Sequence, residues 1–234
     1  RPSSPTAGSR GTSGISVGAV FPSPLVSEMS AMQAATVGGT FLAALFTYKS
    51  KFPSSLFSYH PTLLGVGWLA LSPLALQYLR ESKQTTDKKE KEGKVQLHAY
   101  LNLAVQLCTY GGAYAIYRNK EIMAASKGQV AKHLVSQHGK LGAISTGFLV
   151  LSAAFAINKT MLTKKGGPDY LWRDKWHKYL GMLSYVTSGM AILAVVNGPW
   201  GKNNLGGLAG QRLVSAAIVG VQGLVAAPWI GIAN

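Results

Sequence analysis

Long apolar stretches separated by short polar segments dominate this chain. Six such stretches follow the first 29 residues, at about 30–48, 61–79, 96–117, 138–158, 178–198 and 211–231. Each is close to the roughly 20 residues that an α-helix needs to cross about 30 Å of hydrocarbon. No alternation with period two runs through them, which argues against strands. The pattern predicts an all-α fold, a polytopic membrane bundle of about six transmembrane helices.

Two of these segments depart from a plain apolar helix. Ala, Gly, Thr and Gln dilute the first, so it fits a partly buried or interfacial helix as well as a full span. Pro73 falls late in the second, where it removes a backbone donor and predicts a kink. Neighbouring helices can satisfy the freed carbonyl, so this segment can still cross the membrane.

Residues 1–29 have the composition of a flexible, basic, Ser-rich tail, and residues 30–234 form the predicted transmembrane domain. The tail holds two arginines and many Ser, Thr, Pro and Gly, and no acid occurs before Glu28. It resembles the remnant of an organellar presequence. We therefore favour an organellar membrane, thylakoid or mitochondrial inner, over an endomembrane.

Charge is scarce and strongly basic. Only 13% of residues are charged, and the formal net charge is +15. The basic residues lie in short segments between apolar runs, which is typical of membrane-protein loops and argues against nucleic-acid binding. Six crossings place 14 of the 23 Lys and Arg residues on the face that holds both termini. The positive-inside rule then predicts that both termini face the cytosol, stroma or matrix.

Four of the five histidines recur at nearly equal spacing, which matches the length of one membrane helix and one loop. They are His60, His98, His138 and His177, and each opens a different apolar segment. Successive helices in such a bundle start on opposite faces. His60 and His138 are therefore expected near one membrane surface, and His98 and His177 near the other.

Two facing imidazoles form a six-coordinate haem site suited to electron transfer, so two such pairs predict two haems in a four-helix core. Gly142 and Gly181 each follow a histidine by one turn, where a small residue leaves space for a flat ring. Gly65, Gly67, Gly111 and Gly112 lie on the other two helices. The alternative is that these histidines form interfacial hydrogen bonds and the glycines serve helix packing.

His133 does not fit the period, and we interpret it as a surface residue beside Lys132. Substrate contact or proton transfer is its alternative role. It could replace His138 as a ligand if its helix began earlier, but the position of Gly142 favours His138. Cys108 is the only cysteine, so no internal disulfide can form.

These motifs resemble the cytochrome b561 family of transmembrane, ascorbate-dependent oxidoreductases. The matching stretch runs over about 57–200. It includes Phe-Ser-Tyr-His-Pro at 57–61, Leu-His at 97–98, Leu-Val-Ser-Gln-His at 134–138 and Trp-His at 176–177. The resemblance implies six helices with cytosolic termini and two haem b groups in the four-helix core. It also implies the pairing of His60 with His138 and of His98 with His177.

The implied activity is electron transfer from ascorbate or a similar small reductant, through the haems, to an acceptor on the opposite face. Lys94, Arg173 and Lys178 flank the histidines of the basic face and are candidate contacts for an anionic donor. They also fit ordinary positive-inside residues at the headgroup level. Residues 136–140, Ser-Gln-His-Gly-Lys, differ from the family's pattern, and the family's basic substrate motif has no clear match here.

A second hypothesis is a structural or accessory subunit of a larger organellar electron-transfer complex, with haem optional. The many Gly and Ala residues in the helices favour close helix packing, and the basic loops could contact anionic lipid or acidic partners. Membrane lipid is the expected environment in both cases, and a homodimer or a larger assembly fits either. A transporter is disfavoured, because no acid lies well inside an apolar segment.

Overall fold

The computed structural model describes residues 24–165 and 167–229, and for 24–30 and 229 it describes the backbone alone. This part of the chain contains helices and no strand. The helices are α1 (Pro24–Lys49), α2 (Leu56–Gln84), α3 (Lys88–Ala125), α4 (Gln137–Leu162), α5 (Pro168–Val196), α6 (Pro199–Asn204) and α7 (Gly207–Ala226), followed by a 3₁₀ turn at Ala227–Trp229. The predicted all-α membrane bundle is confirmed.

Four helices, α2, α4, α5 and α7, are long and apolar enough to cross a membrane. The predicted spans 30–48 and 96–117 lie within α1 and α3, which are long enough but carry more polar residues. α3 has 38 residues, about 57 Å of helix, so both of its ends extend beyond a hydrocarbon core. α1 begins at Pro24, and the predicted tail lies outside the described residues up to position 23.

α1 is an integral part of the bundle. Met32, Ala35, Leu42 and Phe46 recur at helical spacing and are 0–3% exposed. They pack in one apolar core with side chains from α2, α5 and α7. The first predicted segment is therefore a helix that packs one face into the bundle and leaves the other face, with Val37, Phe41 and Tyr48, more than 70% exposed.

The interior of α2 changes helical form just before Pro73. Its residues Val66–Leu71 are π-helical, and the amide of Ser72 bonds to the carbonyl of Gly67, five residues back. Pro73 has no N–H, so the carbonyl of Leu69, four residues earlier, loses its α-helical partner. Gly39 of α1 packs on that carbonyl, and a Cβ at Gly39 would lie 1.7 Å from the oxygen. At the position of the predicted kink, α2 therefore contains a π-helical segment. α1 crosses α2 at this segment.

Both described ends of the chain lie on the same side of the bundle. Gly38 of α1 lies against Val221 of α7, and Phe46 stacks on Trp200 at the other end of α1. α7 therefore runs antiparallel to α1, and the start of α1 lies near the end of α7. We call this side the termini side.

Candidate functional site

His60 and His138 meet in the bundle, on the side opposite the termini. Their Nε2 atoms are 3.3 Å apart, and their rings are nearly perpendicular. Nδ1 of His60 is 3.0 Å from the carbonyl of Gly112 on α3, and Nδ1 of His138 is 2.8 Å from the carbonyl of Ala191 on α5. The sequence predicted that these two histidines lie near the same membrane surface. In the structure their rings are in direct contact.

The tautomers of this pair follow from the acceptors. A carbonyl oxygen can only accept, so Nδ1–H of each ring must be the donor. In a neutral imidazole this leaves Nε2 unprotonated, and the two Nε2 atoms are 3.3 Å apart. Two imidazoles oriented in this way by backbone carbonyls could serve as the two ligands of a metal ion.

His98 and His177 repeat the scheme on the termini side. Nδ1 of His98 is 2.9 Å from the carbonyl of Ala75 on α2, and Nδ1 of His177 is 3.0 Å from the carbonyl of Ser152 on α4. Each ring is therefore held through Nδ1 by a backbone carbonyl of the adjacent helix.

The two pairs lie at different depths in the bundle. Ala75, which accepts from His98, lies about four helical turns beyond His60 on α2, and Ser152, which accepts from His177, lies equally far beyond His138 on α4. At a pitch of about 5.4 Å per turn, these steps place the pairs about 20 Å apart along the helices. Both therefore fit within a hydrocarbon core of about 30 Å.

Two polar side chains touch the second pair and were not selected from the sequence. The Ser152 hydroxyl donates to the carbonyl of His177 at 3.0 Å and lies 3.0 Å from its Nδ1. The amide nitrogen of Asn102 is 3.3 Å from Nε2 of His98. Asn102 stands one turn after its histidine, a spacing that could have identified it. Ser152 is distant from His177 in the sequence, so only the pairing of α4 with α5 reveals it.

Most of the glycines singled out from the sequence serve helix packing. A Cβ at Gly67, Gly111, Gly112 or Gly181 would approach a neighbouring helix to 3.1–3.3 Å, and one at Gly65 would meet α1 at 3.6 Å. Gly142, one turn after His138, differs because a Cβ there would meet nothing within 4 Å. Space for a flat ring is therefore supported at Gly142 alone among these six.

His133 lies apart from the histidine pairs. Its Nε2 is 2.8 Å from a carboxylate oxygen of Glu121, and its ring stacks on Tyr117 with centroids 4.4 Å apart. The side chain is 29% exposed. His138, and not His133, faces His60.

Two of the three candidate donor contacts are ion-paired. Lys94 lies 2.8 Å from Glu90 and 3.0 Å from the Thr85 hydroxyl, and the bond to Glu90 raises the pKa of its ammonium group. Lys178 pairs with Asp174. No ion pair joins Arg173 to another residue of the described ranges.

Lys159 joins the same charged group and was missed in the sequence. Its ammonium is 2.7 Å from Asp174, its side chain is only 13% exposed, and its charge acts on both His98 and His177. It precedes the loop that leads to α5, where it looks like any positive-inside lysine. The ion pair appears only when α4 and α5 are packed together.

Comparison with known proteins identifies the family of the chain. The family model for eukaryotic cytochrome b561 matches residues 59–199, which is more than half of the chain and includes His60, His98, His138 and His177. The chain belongs to the eukaryotic cytochrome b561 family. The resemblance predicted from the histidine motifs is thus confirmed, and cytochromes of this family bind haem b.

Two curated relatives carry the name transmembrane reductase CYB561D2, one from Homo sapiens and one from Bos taurus. Each is 25% identical over 149 residues, which is 63% of this chain and 64% of the relative. The chain therefore covers slightly less than two thirds of each relative's length. No solved structure shows a significant similarity to it.

Proposed function

We propose that this cytochrome b561 carries electrons across its membrane through two haem b groups, as a transmembrane oxidoreductase. His60 and His138 would hold one haem, and His98 and His177 the other. Haem b with two imidazole ligands supplies a one-electron carrier that does not need an open coordination site. The observation that supports the proposal is the shared use of Nδ1: each of the four histidines has Nδ1 within hydrogen-bond distance of a backbone carbonyl, so Nε2 is the atom that would bind iron. At His98, iron would replace the contact of Nε2 with the Asn102 amide.

The placement of the pairs supports transfer across the membrane. They stand about 20 Å apart along the helices, one toward each face of the bundle. His60 and His138 are held by α2 and α4 with acceptors on α3 and α5, while His98 and His177 are held by α3 and α5 with acceptors on α2 and α4. All four core helices therefore contribute to both positions.

The termini side is the better candidate for reaction with an anionic donor such as ascorbate. Three cationic side chains lie near His98 and His177, namely Lys94, Arg173 and Lys178. A fourth cation, Lys159, shares the carboxylate of Asp174 with Lys178. Because Glu90 and Asp174 already engage Lys94 and Lys178, we propose Arg173 as the first contact for the donor. Both termini would face the cytosol, stroma or matrix, where that donor would be met.

Haem content of purified variants tests the assignment. The wild type should hold two haems per chain, measured as the pyridine derivative, with a low-spin reduced spectrum. His177→Leu or His98→Leu should remove the haem on the termini side and leave one haem per chain. His133→Leu is the matched control, because His133 faces Glu121 and Tyr117, and it should keep both haems. Two haems in His177→Leu would contradict the assignment.

Function across the membrane needs a second measurement. In vesicles with ascorbate outside and ferricyanide enclosed, the wild type should transfer electrons, and Arg173→Gln should slow the step driven by ascorbate while dithionite reduction stays unchanged. A folded, native protein without haem would contradict electron transfer. That result would favour the accessory-subunit alternative, within an organellar complex.

A further inference from the structure

A groove between α1 and the π-helical segment of α2 is not used by the proposed electron path. Its volume is about 790 Å³, and Ala43, Ala44 and Thr47 of α1 line one wall while Val66 and Ala70 line the other. The Thr47 hydroxyl bonds to the carbonyl of Ala43, so the wall has no free polar group at that position. Ala44 is exposed. The groove is therefore apolar and opens to the outside of the bundle, where lipid lies.

The crossing of α1 and α2 forms this groove. Gly39 touches the carbonyl of Leu69, and Gly65 packs on Ala43, so the two helices are closest along that line. Val66 and Ala70 lie beside the crossing, within the π-helical segment, and are partly buried. π-Helical segments are often found at functional sites.

A lysine stands at the end of the groove in a position that usually holds glycine. α1 ends in a Schellman motif, in which the amide of Lys51 bonds to the carbonyl of Tyr48 and the amide of Phe52 to the carbonyl of Thr47. Lys51 has a φ of 55°, a left-handed conformation that favours glycine at this point of the motif. Lys51 nevertheless lines the groove and is exposed, which indicates a use for its charge.

The charge around this end is positive. Lys49 lies near Lys51, with its ammonium 5.7 Å from the centre of the Tyr48 ring. No acid occurs in the sequence between Glu28 and Glu81. Tyr48 and Phe52, which line the groove, and Tyr59, whose ring contacts Phe52, form a group of the kind found at the headgroup level of membranes.

We infer that this groove binds one anionic phospholipid, with an acyl chain against α1 and the phosphate at Lys49 and Lys51. Thr40 marks the deep end of the groove, and the helix from there to Lys51 spans about 16 Å, close to half of a hydrocarbon core of about 30 Å. The groove thus has the length of one leaflet, with cations at its headgroup end.

Native mass spectrometry of the detergent-purified protein tests this site with phosphatidylglycerol and phosphatidylcholine as probes. The wild type should keep one phosphatidylglycerol at a collision energy that removes phosphatidylcholine. The double variant Lys49→Gln/Lys51→Asn should weaken that retention about thirtyfold, because each lysine near an anionic group contributes about fivefold. Asn tolerates the left-handed conformation at position 51. Lys127→Gln, in the loop after α3, is the matched control and should change nothing.

A second variant tests the acyl chain independently. Ala44→Phe fills the groove from an exposed position, so folding should be unaffected, and the retained lipid should be lost. Ala154→Phe, at an exposed position of α4, is its control. Equal retention of both lipids by the wild type, or unchanged retention in Ala44→Phe, would overturn the inference. So would a change from dimer to monomer in Ala44→Phe without loss of lipid, which would assign the groove to a second copy. Haem absorbance of the same samples reports separately on the electron-transfer proposal.

Discussion

The hairpins α2–α3 and α4–α5 place their histidines by the same scheme but differ in spacing. On three helices the seam positions recur at every seventh residue: 98, 105 and 112 on α3, 138, 145 and 152 on α4, and 177, 184 and 191 on α5. On α2 they are 60, 67 and 75, so the last step is one residue longer. The additional residue lies in the π-helical segment Val66–Leu71.

This difference explains what the π-helical segment does. A heptad step keeps one face of a helix toward its partner, and a π-helical turn absorbs one extra residue. Ala75 can then accept from His98, just as Ser152 accepts from His177. The extra residue also lies close to the carbonyl of Leu69, on which Gly39 of α1 packs. Thus α2 packs against both α3 and α1, while α4 has no comparable contact with α1.

The hairpins also differ in what fills the middle of the seam. In α4–α5, Ser145 and Ser184 donate to each other's carbonyl oxygens at 2.8 and 2.7 Å, and both are buried. At the matching place in α2–α3 stands Gly67, where a Cβ would lie 3.1 Å from Cys108 and 3.5 Å from the carbonyl of Val105. At this level, hydrogen bonds between side chains and backbone hold α4 to α5. In the α2–α3 hairpin, the two backbones approach each other closely instead.

The largest expected effect comes from adding bulk to the glycine-packed hairpin. In Gly112→Leu the new Cβ would lie 3.2–3.3 Å from Leu64 and the carbonyl of His60, which pushes α2 away from α3. We expect a loss of about 1–3 kcal/mol in stability, seen in thermal unfolding in detergent, together with loss of the haem proposed at His60 and His138. Gly147→Leu on α4 is the control, because its Cβ meets open space. Equal stability of the two variants would contradict the packing role of Gly112.

Much of this architecture could be predicted from the sequence, because the signals are periodic. Apolar runs of membrane-spanning length indicated the helices, and the recurrence of His60, His98, His138 and His177 indicated the two depths. The mutual hydrogen bonds of Ser145 and Ser184 could not be predicted, since they depend on helix rotation. Likewise, the glycines near the histidines could not be sorted into packing and open positions without knowing which helix each one faces.

A smaller effect should separate the electrostatics of the two histidine pairs. Lys159 acts on His98 and His177, whereas Lys120 acts on His60. Removing a positive charge disfavours the reduced haem, so Lys159→Met should lower the potential of the haem proposed at His98 and His177 by roughly 40 mV, about 1 kcal/mol for one electron. Lys120→Met should lower the other potential instead. Redox titration of each variant measures both haem potentials. If the two variants shifted the potential of the same haem, the proposed difference between the two sites would be wrong.

The ion pair beneath the termini-side histidines should have a more modest influence on stability. Asp174→Asn leaves Lys159 and Lys178 without their shared partner, and the two side chains of the Lys159–Asp174 bond are only 13% and 21% exposed. We expect a loss of about 1 kcal/mol, between the values typical of exposed and of buried pairs. Glu121→Gln, on the opposite side, removes a carboxylate paired with His133 and should cost less. Chemical unfolding in detergent at neutral pH compares the stability of the two variants. A larger loss of stability in Glu121→Gln would contradict the greater contribution expected for the Asp174 ion pair.

The smallest expected effect concerns the serine pair that distinguishes α4–α5. Hydrogen bonds between membrane helices contribute about 0.6 kcal/mol on average, so Ser145→Ala and Ser184→Ala should each destabilise the protein by roughly that amount. Ser188→Ala is the matched control, because Ser188 is also buried on α5 but bonds to the carbonyl of Tyr185 in its own helix. It should have a smaller effect. Since the two serines contact each other, the double variant should lose less than the sum of the single losses. Strict additivity would mean that the two hydrogen bonds contribute independently, and no loss in either single variant would mean that α4–α5 is held by shape, like α2–α3.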